Sequence, residues 1–208
     1  MKIIDLSHIL IDEGSTYPSD PKLTIKKEKD IKNNRSLLHS ISFSTHTGTH
    51  LDTPAHMIPG GKTLDEFSLD KFIGVAVKVN CDNYKSLIKI KRTYDTVIYD
   101  TGWYRNYNKP DIFFGNNRPI IPDELISIIV NKKIKIFGCD LPSVDKSGKS
   151  EKKVHKSFLN KDIIIYECLN NLDELPLLMP FEFFGLPLSL YGLDGSPARA
   201  IAMINKSK

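Results

Sequence analysis

The stretch from Ser44 to His56, Ser-Thr-His-Thr-Gly-Thr-His-Leu-Asp-Thr-Pro-Ala-His, constrains this chain more than any other. It holds three of the six histidines, His46, His50 and His56, together with Asp52, and it contains no Lys, Arg or Glu. A helix would set His46 and His50 side by side one turn apart, but Thr47, Gly48, Thr49, Thr53 and Pro54 all oppose a helix. A straight strand would part the two imidazoles by roughly 13 Å, too far for a shared ion. The chain must therefore bend between them, and Gly48 is the residue that reaches backbone angles its β-branched neighbours avoid. His50 and Asp52 have the same parity, so an extended segment points both to one side.

Imidazole nitrogen and carboxylate oxygen are ligands for a borderline divalent cation such as Zn²⁺, and three protein ligands plus water compose a catalytic site more often than a structural one. The bland alternative is a threonine-rich turn whose histidines only cap and hydrogen-bond. Spacing, acid and bend agree on the metal site.

At 208 residues the chain has length for one sizeable core, which predicts a single domain spanning 1–208. Its net charge of +4 comes from scattered lysines, with doublets only at Lys26 and Lys27, Lys132 and Lys133, and Lys152 and Lys153. No basic stripe interleaved with aromatics appears, so nucleic acid is not an expected partner. Cys81, Cys139 and Cys168 are odd in number and far apart, which fits a reducing compartment better than a disulfide framework. Asp5 stands where an export signal needs its apolar run, so none is expected. The apolar region Leu175 to Leu190 is broken by Pro176, Pro180, Glu182, Gly185 and Pro187 and is no membrane span. A cytoplasmic enzyme is the expectation.

Ile3 to Ile9 reads as a strand, and a loop with Gly14, Pro18 and Pro21 follows. Tyr17, held beside Pro18 in that loop, either lines a substrate pocket or packs. Leu38 to Thr45 alternates as a half-buried strand leading into the histidine cluster. Lys71 to Val79, Tyr94 to Thr101, Ile134 to Cys139 and Asp162 to Tyr166 are β-rich runs, and Pro122 opens a helix ending near Lys132 or Lys133. Glu167 comes directly after the apolar run Asp162 to Tyr166 with its three isoleucines, where an unpaired carboxylate is costly to bury; a metal would resolve that cost. His155, in a lysine-rich loop, reads from the residues alone as a surface histidine. His8 and His39 read as structural, Asp140 and Asp145 as turn acids or acids behind the ligands, and Cys168 as pointing away from Glu167 by strand parity. Pro180 to Ile204 carries two further apolar runs around a Gly192 to Pro197 turn. The pattern is mixed α/β with few helices.

His46-Thr-Gly-Thr-His50-Leu-Asp52-Thr-Pro-Ala-His56 resembles the signature of the metal-dependent cyclase family, which includes the bacterial kynurenine formamidases (arylformamidases). The likeness continues through Ile58-Pro-Gly-Gly-Lys62, Thr101-Gly-Trp103, Asp140-Leu-Pro-Ser-Val-Asp145, His155, the run from Glu167 to Leu172, and Gly195-Ser-Pro-Ala-Arg199-Ala-Ile-Ala202. It implies a swivelling β/β/α fold with a mixed sheet, assembled as a homodimer or homotetramer. It also implies a binuclear centre, with Zn²⁺ as the expected ion, two per subunit, and Mn²⁺ as the alternative. His46, His50 and Asp52 would hold the first metal, His155 would belong to the second, Asp52 and Glu167 would bridge, and His56 would be the acid/base. Tyr17 falls where kynurenine formamidases carry a tryptophan that packs on the substrate ring. The implied activity is hydrolysis of a C–N amide bond in a small aryl formamide by a metal-activated hydroxide. The alternatives are a cyclic amide or other small amide or ester as substrate, and a metal-binding protein without turnover.

Overall fold

The computed structural model describes residues 1–91, 93–146 and 152–205. Among these residues the eleven strands are β1 (Lys2–Asp5), β2 (Thr24–Lys29), β3 (Leu38–Ser42), β4 (His50–Asp52), β5 (Ile73–Asn80), β6 (Thr96–Asp100), β7 (Ile136–Cys139), β8 (Ile164–Glu167), β9 (Pro180–Phe184), β10 (Gly195–Pro197) and β11 (Ile201–Ile204). Nine form one sheet in the order β1-β11-β9-β5-β6-β7-β8-β4-β10. Its centre, β5 to β8, is parallel, and both wings are antiparallel. The fold is thus mixed α/β of the swivelling type, with few helices.

Burial on both faces explains the composition of the central strands. On one face Val97, Tyr99, Phe137, Cys139 and Ile165 pack beneath the helices Asp123–Asn131 and Lys153–Leu159, which supply Leu125, Ile129, Phe158 and Leu159. On the other, Ile98, Ile136, Ile164 and Tyr166 meet Leu51, Phe72, Phe183 and Ala202. Each such fully buried aliphatic or aromatic side chain contributes about 1.5–3 kcal/mol. The helix Asp123–Asn131 begins as its residues dictate, with Pro122 as cap and Asp123 and Glu124 at the positive end of its dipole.

Three expectations need correction. The N-terminal strand stops at Asp5, because from Leu6 the chain turns its hydrogen bonding to Ala200 and then leaves the sheet. The Leu38 strand ends at Ser42 and is exposed throughout; it pairs with β2, unrecognised in the sequence, in a two-stranded ribbon apart from the main sheet. His155 lies in no surface loop: it sits on the helix Lys153–Leu159 and is 2% exposed. Part of the lysine-rich loop before it, residues 147–151, lies outside the described residues. Among the described residues no helix is long and apolar enough to cross a membrane.

Candidate functional site

The site forms where the carboxyl ends of β7 and β8 meet the short strand β4, as ligand sites do in sheets with parallel centres. Gly48 takes φ +62°, and this left-handed residue makes the bend between His46 and His50. A side chain there would collide with Leu10 and approach the Tyr107 hydroxyl to 3.4 Å. β4 then runs antiparallel to β8 with His50 opposite Glu167 and Asp52 opposite Ile165. Parity does the rest: His50 and Asp52 turn to the site while Leu51 enters the core behind the sheet. β10 closes the other side of β4, pairing Gly195 with Asp52.

Four buried side chains converge in a symmetric pattern. Asp52 sets Oδ1 3.4 Å from His50 Nε2 and Oδ2 3.6 Å from His155 Nε2. Glu167 repeats this, with Oε2 3.5 Å from His50 Nε2 and Oε1 3.5 Å from His155 Nε2. Each carboxylate therefore spans the gap between the same two imidazoles. Both rings present Nε2 because Nδ1 is occupied: that of His50 donates to the Gly48 carbonyl at 2.9 Å, and that of His155 to Asp145 Oδ2 at 2.7 Å. Outer partners of this kind fix the tautomer of metal-binding histidines. Asp145 also accepts the backbone N–H groups of Val154 and His155, tying down the start of their helix, and its carbonyl is held by Arg118.

His46 stands on the other flank of Asp52, its Nδ1 2.8 Å from Oδ1. Its Nε2 lies 2.8 Å from Asp194 Oδ2, and the same oxygen lies 3.1 Å from His56 Nδ1. Asp194 is the residue that sequence reasoning missed. It read as part of a glycine turn, and no local pattern marks it; only the pairing of β10 with β4 brings it to the histidines.

The electrostatics are those of a site built for positive charge. Burial alone would push His46, His50 and His155 down and Asp52 and Glu167 up. The attraction between these imidazoles and carboxylates outweighs it. His46 is raised to about 9, mainly by Asp194 and Asp52 against that burial, and His50 and His155 are raised well above the ordinary imidazole value. Asp52 is held well below the usual carboxylate range by His155, His46 and His50, again against burial. Asp194 is lowered by His46 and then His56.

Tyr17 stands at the mouth, edge-on to Phe114 with ring centroids 5.7 Å apart. It lines a cleft of about 230 Å3 with His46, His50, His56, Met57, His155 and Glu167. A larger hollow of about 470 Å3 beyond Tyr17, walled by Ile9, Leu10, Tyr107 and Pro110, brings no imidazoles together, so the chemistry belongs to the smaller one. Asp140 is spent on the turn after β6, accepting from Thr101 and from the Tyr104 backbone. His8 stacks flat on Tyr107 at 3.6 Å, and His39 is exposed on the ribbon. Cys168 leaves the strand at φ +55° and packs with Tyr107 and Phe113.

The donor set fits a divalent cation. Oδ2 of Asp52, on a residue with 0% exposure, has no hydrogen-bond partner among the described residues, a costly state for a carboxylate oxygen unless a cation satisfies it. His50, Asp52 and Glu167 bring ligand atoms within 4.8 Å of one another, as do His46, Asp52 and His56.

The same architecture occurs in solved proteins. An isatin hydrolase bound to the product analogue thioisatinate superposes with a TM-score of 0.84 at 21% identity, over 99% of this chain and 93% of that one. Isatin hydrolase A from Ralstonia solanacearum gives 0.83 at 20% identity, over 97% and 91%. At such identities these likenesses speak for the fold. In sequence, the kynurenine formamidase of Geobacillus thermodenitrificans is 30% identical over 207 residues, covering 95% of both chains. The family model described as putative cyclase matches residues 4–146, from β1 through Lys146, and the chain belongs to that family.

Proposed function

We propose that this protein is a metal-dependent amide hydrolase acting on a small aryl formamide of the N-formylkynurenine type. The observation that carries the reading is the pair of carboxylates, Asp52 and Glu167, each spanning His50 Nε2 and His155 Nε2, with His56 on the same cleft. The relatives that cover almost the whole chain are kynurenine formamidases, which gives the amide its chemical class.

In this reading His46, His50 and Asp52 would hold one ion, His155 would belong to a second, and Asp52 and Glu167 would serve both. Asp52, Glu167, Asp145 and Asp194 surround the site with carboxylates, whose charge two divalent ions would offset. Imidazoles with bridging carboxylates suit Zn²⁺, with Mn²⁺ as the other candidate. Such an ion supplies Lewis acidity, acidifying water and polarising a carbonyl. The chain supplies the rest. His56 takes one proton of the attacking water and returns it to the departing arylamine nitrogen as the C–N bond breaks, so that one water yields the free amine, formate and a released proton. Tyr17 forms the wall against which the aryl ring rests, and the modest cleft restricts entry to small molecules.

The β2–β3 ribbon supports assembly as a homodimer or homotetramer: Leu38 and Ile41 are exposed on it and Leu37 just before it, and a lone two-stranded ribbon is marginally stable. Sedimentation equilibrium tests this, and a monomer at micromolar concentration would end it. Three free cysteines agree with a cytoplasmic setting.

The deciding experiment is hydrolysis of N-formylkynurenine by metal-stripped protein reloaded separately with Zn²⁺ and Mn²⁺, followed by appearance of the arylamine. Metal-dependent turnover is expected. Bound metal with no turnover on this compound would remove the substrate; no turnover on any formamide, lactam or ester would remove the hydrolase.

A further inference from the structure

We propose that Asp194 is a positioning residue: through one oxygen it fixes which nitrogen of His56 bears the proton, and it does the same for His46. A carboxylate oxygen only accepts hydrogen bonds. Oδ2 lies 3.1 Å from His56 Nδ1 and 2.8 Å from His46 Nε2, so both of those nitrogens donate to it. The two rings are consequently drawn together, with centroids 4.0 Å apart and planes tilted by 43°.

On each ring the opposite nitrogen is then the one left to take a metal ion or a further proton. For His46 that nitrogen is Nδ1, 2.8 Å from Asp52 Oδ1. Two acceptors facing each other at that distance require a cation or a proton between them. For His56 the lone pair is on Nε2, the nitrogen that a base needs free. One carboxylate thereby prepares a metal-side ring and an acid/base ring at once.

The turn carrying Asp194 does not need this carboxylate for its own shape. Its backbone is held independently: the Asp194 carbonyl accepts from Thr53 N at 2.9 Å and Thr53 Oγ1 at 3.0 Å, Leu193 O accepts from Leu64 N at 3.0 Å, and Gly192 N donates to Asp65 at 2.8 Å. Gly195 permits the close approach, since a Cβ there would lie 2.6 Å from Leu51 O and 3.0 Å from His46 Cε1. The side chain of Asp194 thus serves the two histidines and the Thr45 hydroxyl rather than its own turn, and its removal should leave the fold intact.

The catalytic consequence rests on the hydrolase reading; the tautomer does not. Long-range proton–nitrogen correlation spectra of metal-free and zinc-loaded protein, taken well above the ordinary imidazole pKa of about 6.5, read the tautomer directly. The expected result is a proton on His56 Nδ1 in the wild type and on Nε2 in Asp194→Ala. Zinc affinity of the variant should fall about 10- to 100-fold, as when an outer partner of a ligand histidine is lost. At saturating zinc its kcat should fall about 100-fold with KM changed less than about threefold. A wild-type His56 protonated on Nε2 overturns the proposal without any variant. So does an Asp194→Ala protein that keeps the Nδ1 proton and full kcat. If the wild type hydrolyses no amide, the hydrolase reading falls and the spectra alone decide the role of Asp194.

Discussion

Asp145 holds His155 at two points, accepting Nδ1–H at 2.7 Å and the backbone N–H at 3.0 Å on one oxygen, Oδ2. This grip aims Nε2 at Asp52 and Glu167 and anchors the helix that carries the ring. Replacing Asp145 with Asn removes the charge and weakens the acceptor. Metal affinity should drop about 10- to 100-fold, as measured by competition with a chromogenic chelator. Unchanged affinity would mean that His155 needs no such support or binds no metal.

His56 makes its hydrogen bond to Asp194, while the converging quartet is built from His50, His155, Asp52 and Glu167. His56→Ala should therefore lose about 10²- to 10⁴-fold in kcat while retaining the wild-type metal content by elemental analysis. A variant depleted of metal would instead make His56 a ligand.

Chelation should destabilise the fold, because the donor set exists only in the folded chain. At free metal about 100 times the dissociation constant, binding adds about 2.7 kcal/mol. For a chain of this length that corresponds to a melting temperature higher by about 5–10 °C. A calorimetric scan with and without chelator measures it, and coincident transitions would contradict a metal centre of this kind.

His8 gives a pH dependence separate from the metal centre. Burial against Tyr107 pushes its pKa down to about 4, from an unfolded value near 6.5. The folded state thus binds fewer protons, so this contribution is full above about pH 6.5 and is lost as pH falls toward 4. His8→Phe, which keeps a flat ring for stacking, should flatten that part of the profile. Urea titrations of both proteins across this range test it; parallel losses would place the acid sensitivity elsewhere.

How legible these features were in the sequence depends on how local their causes are. The bend at Gly48 and the shared side of His50 and Asp52 follow from backbone geometry within seven residues, and both are present. Central strands announced themselves through β-branched runs. β2, with Thr-Ile-Lys-Lys-Glu-Lys, carries no apolar face and lies almost wholly exposed among the described residues. The helix bearing His155 did have a signal, since Val154, Phe158 and Leu159 form its buried side, but the surrounding lysines masked it. Asp194 had none. Its partners lie 138 and 148 positions earlier, and the strand that delivers it is a Gly-Ser-Pro triplet without β propensity.

Because β4 is clasped between β8 and β10, the histidine segment waits for neighbours that come late in the chain. During synthesis, His46 to His56 leave the ribosome more than a hundred residues before Glu167 and Asp194 do. An ion caught early would meet a partial set of ligands and exchange away; tight capture belongs to the final stage of folding. Once seated, it acts as a clasp between distant parts of the polypeptide, closing long loops much as a crosslink would.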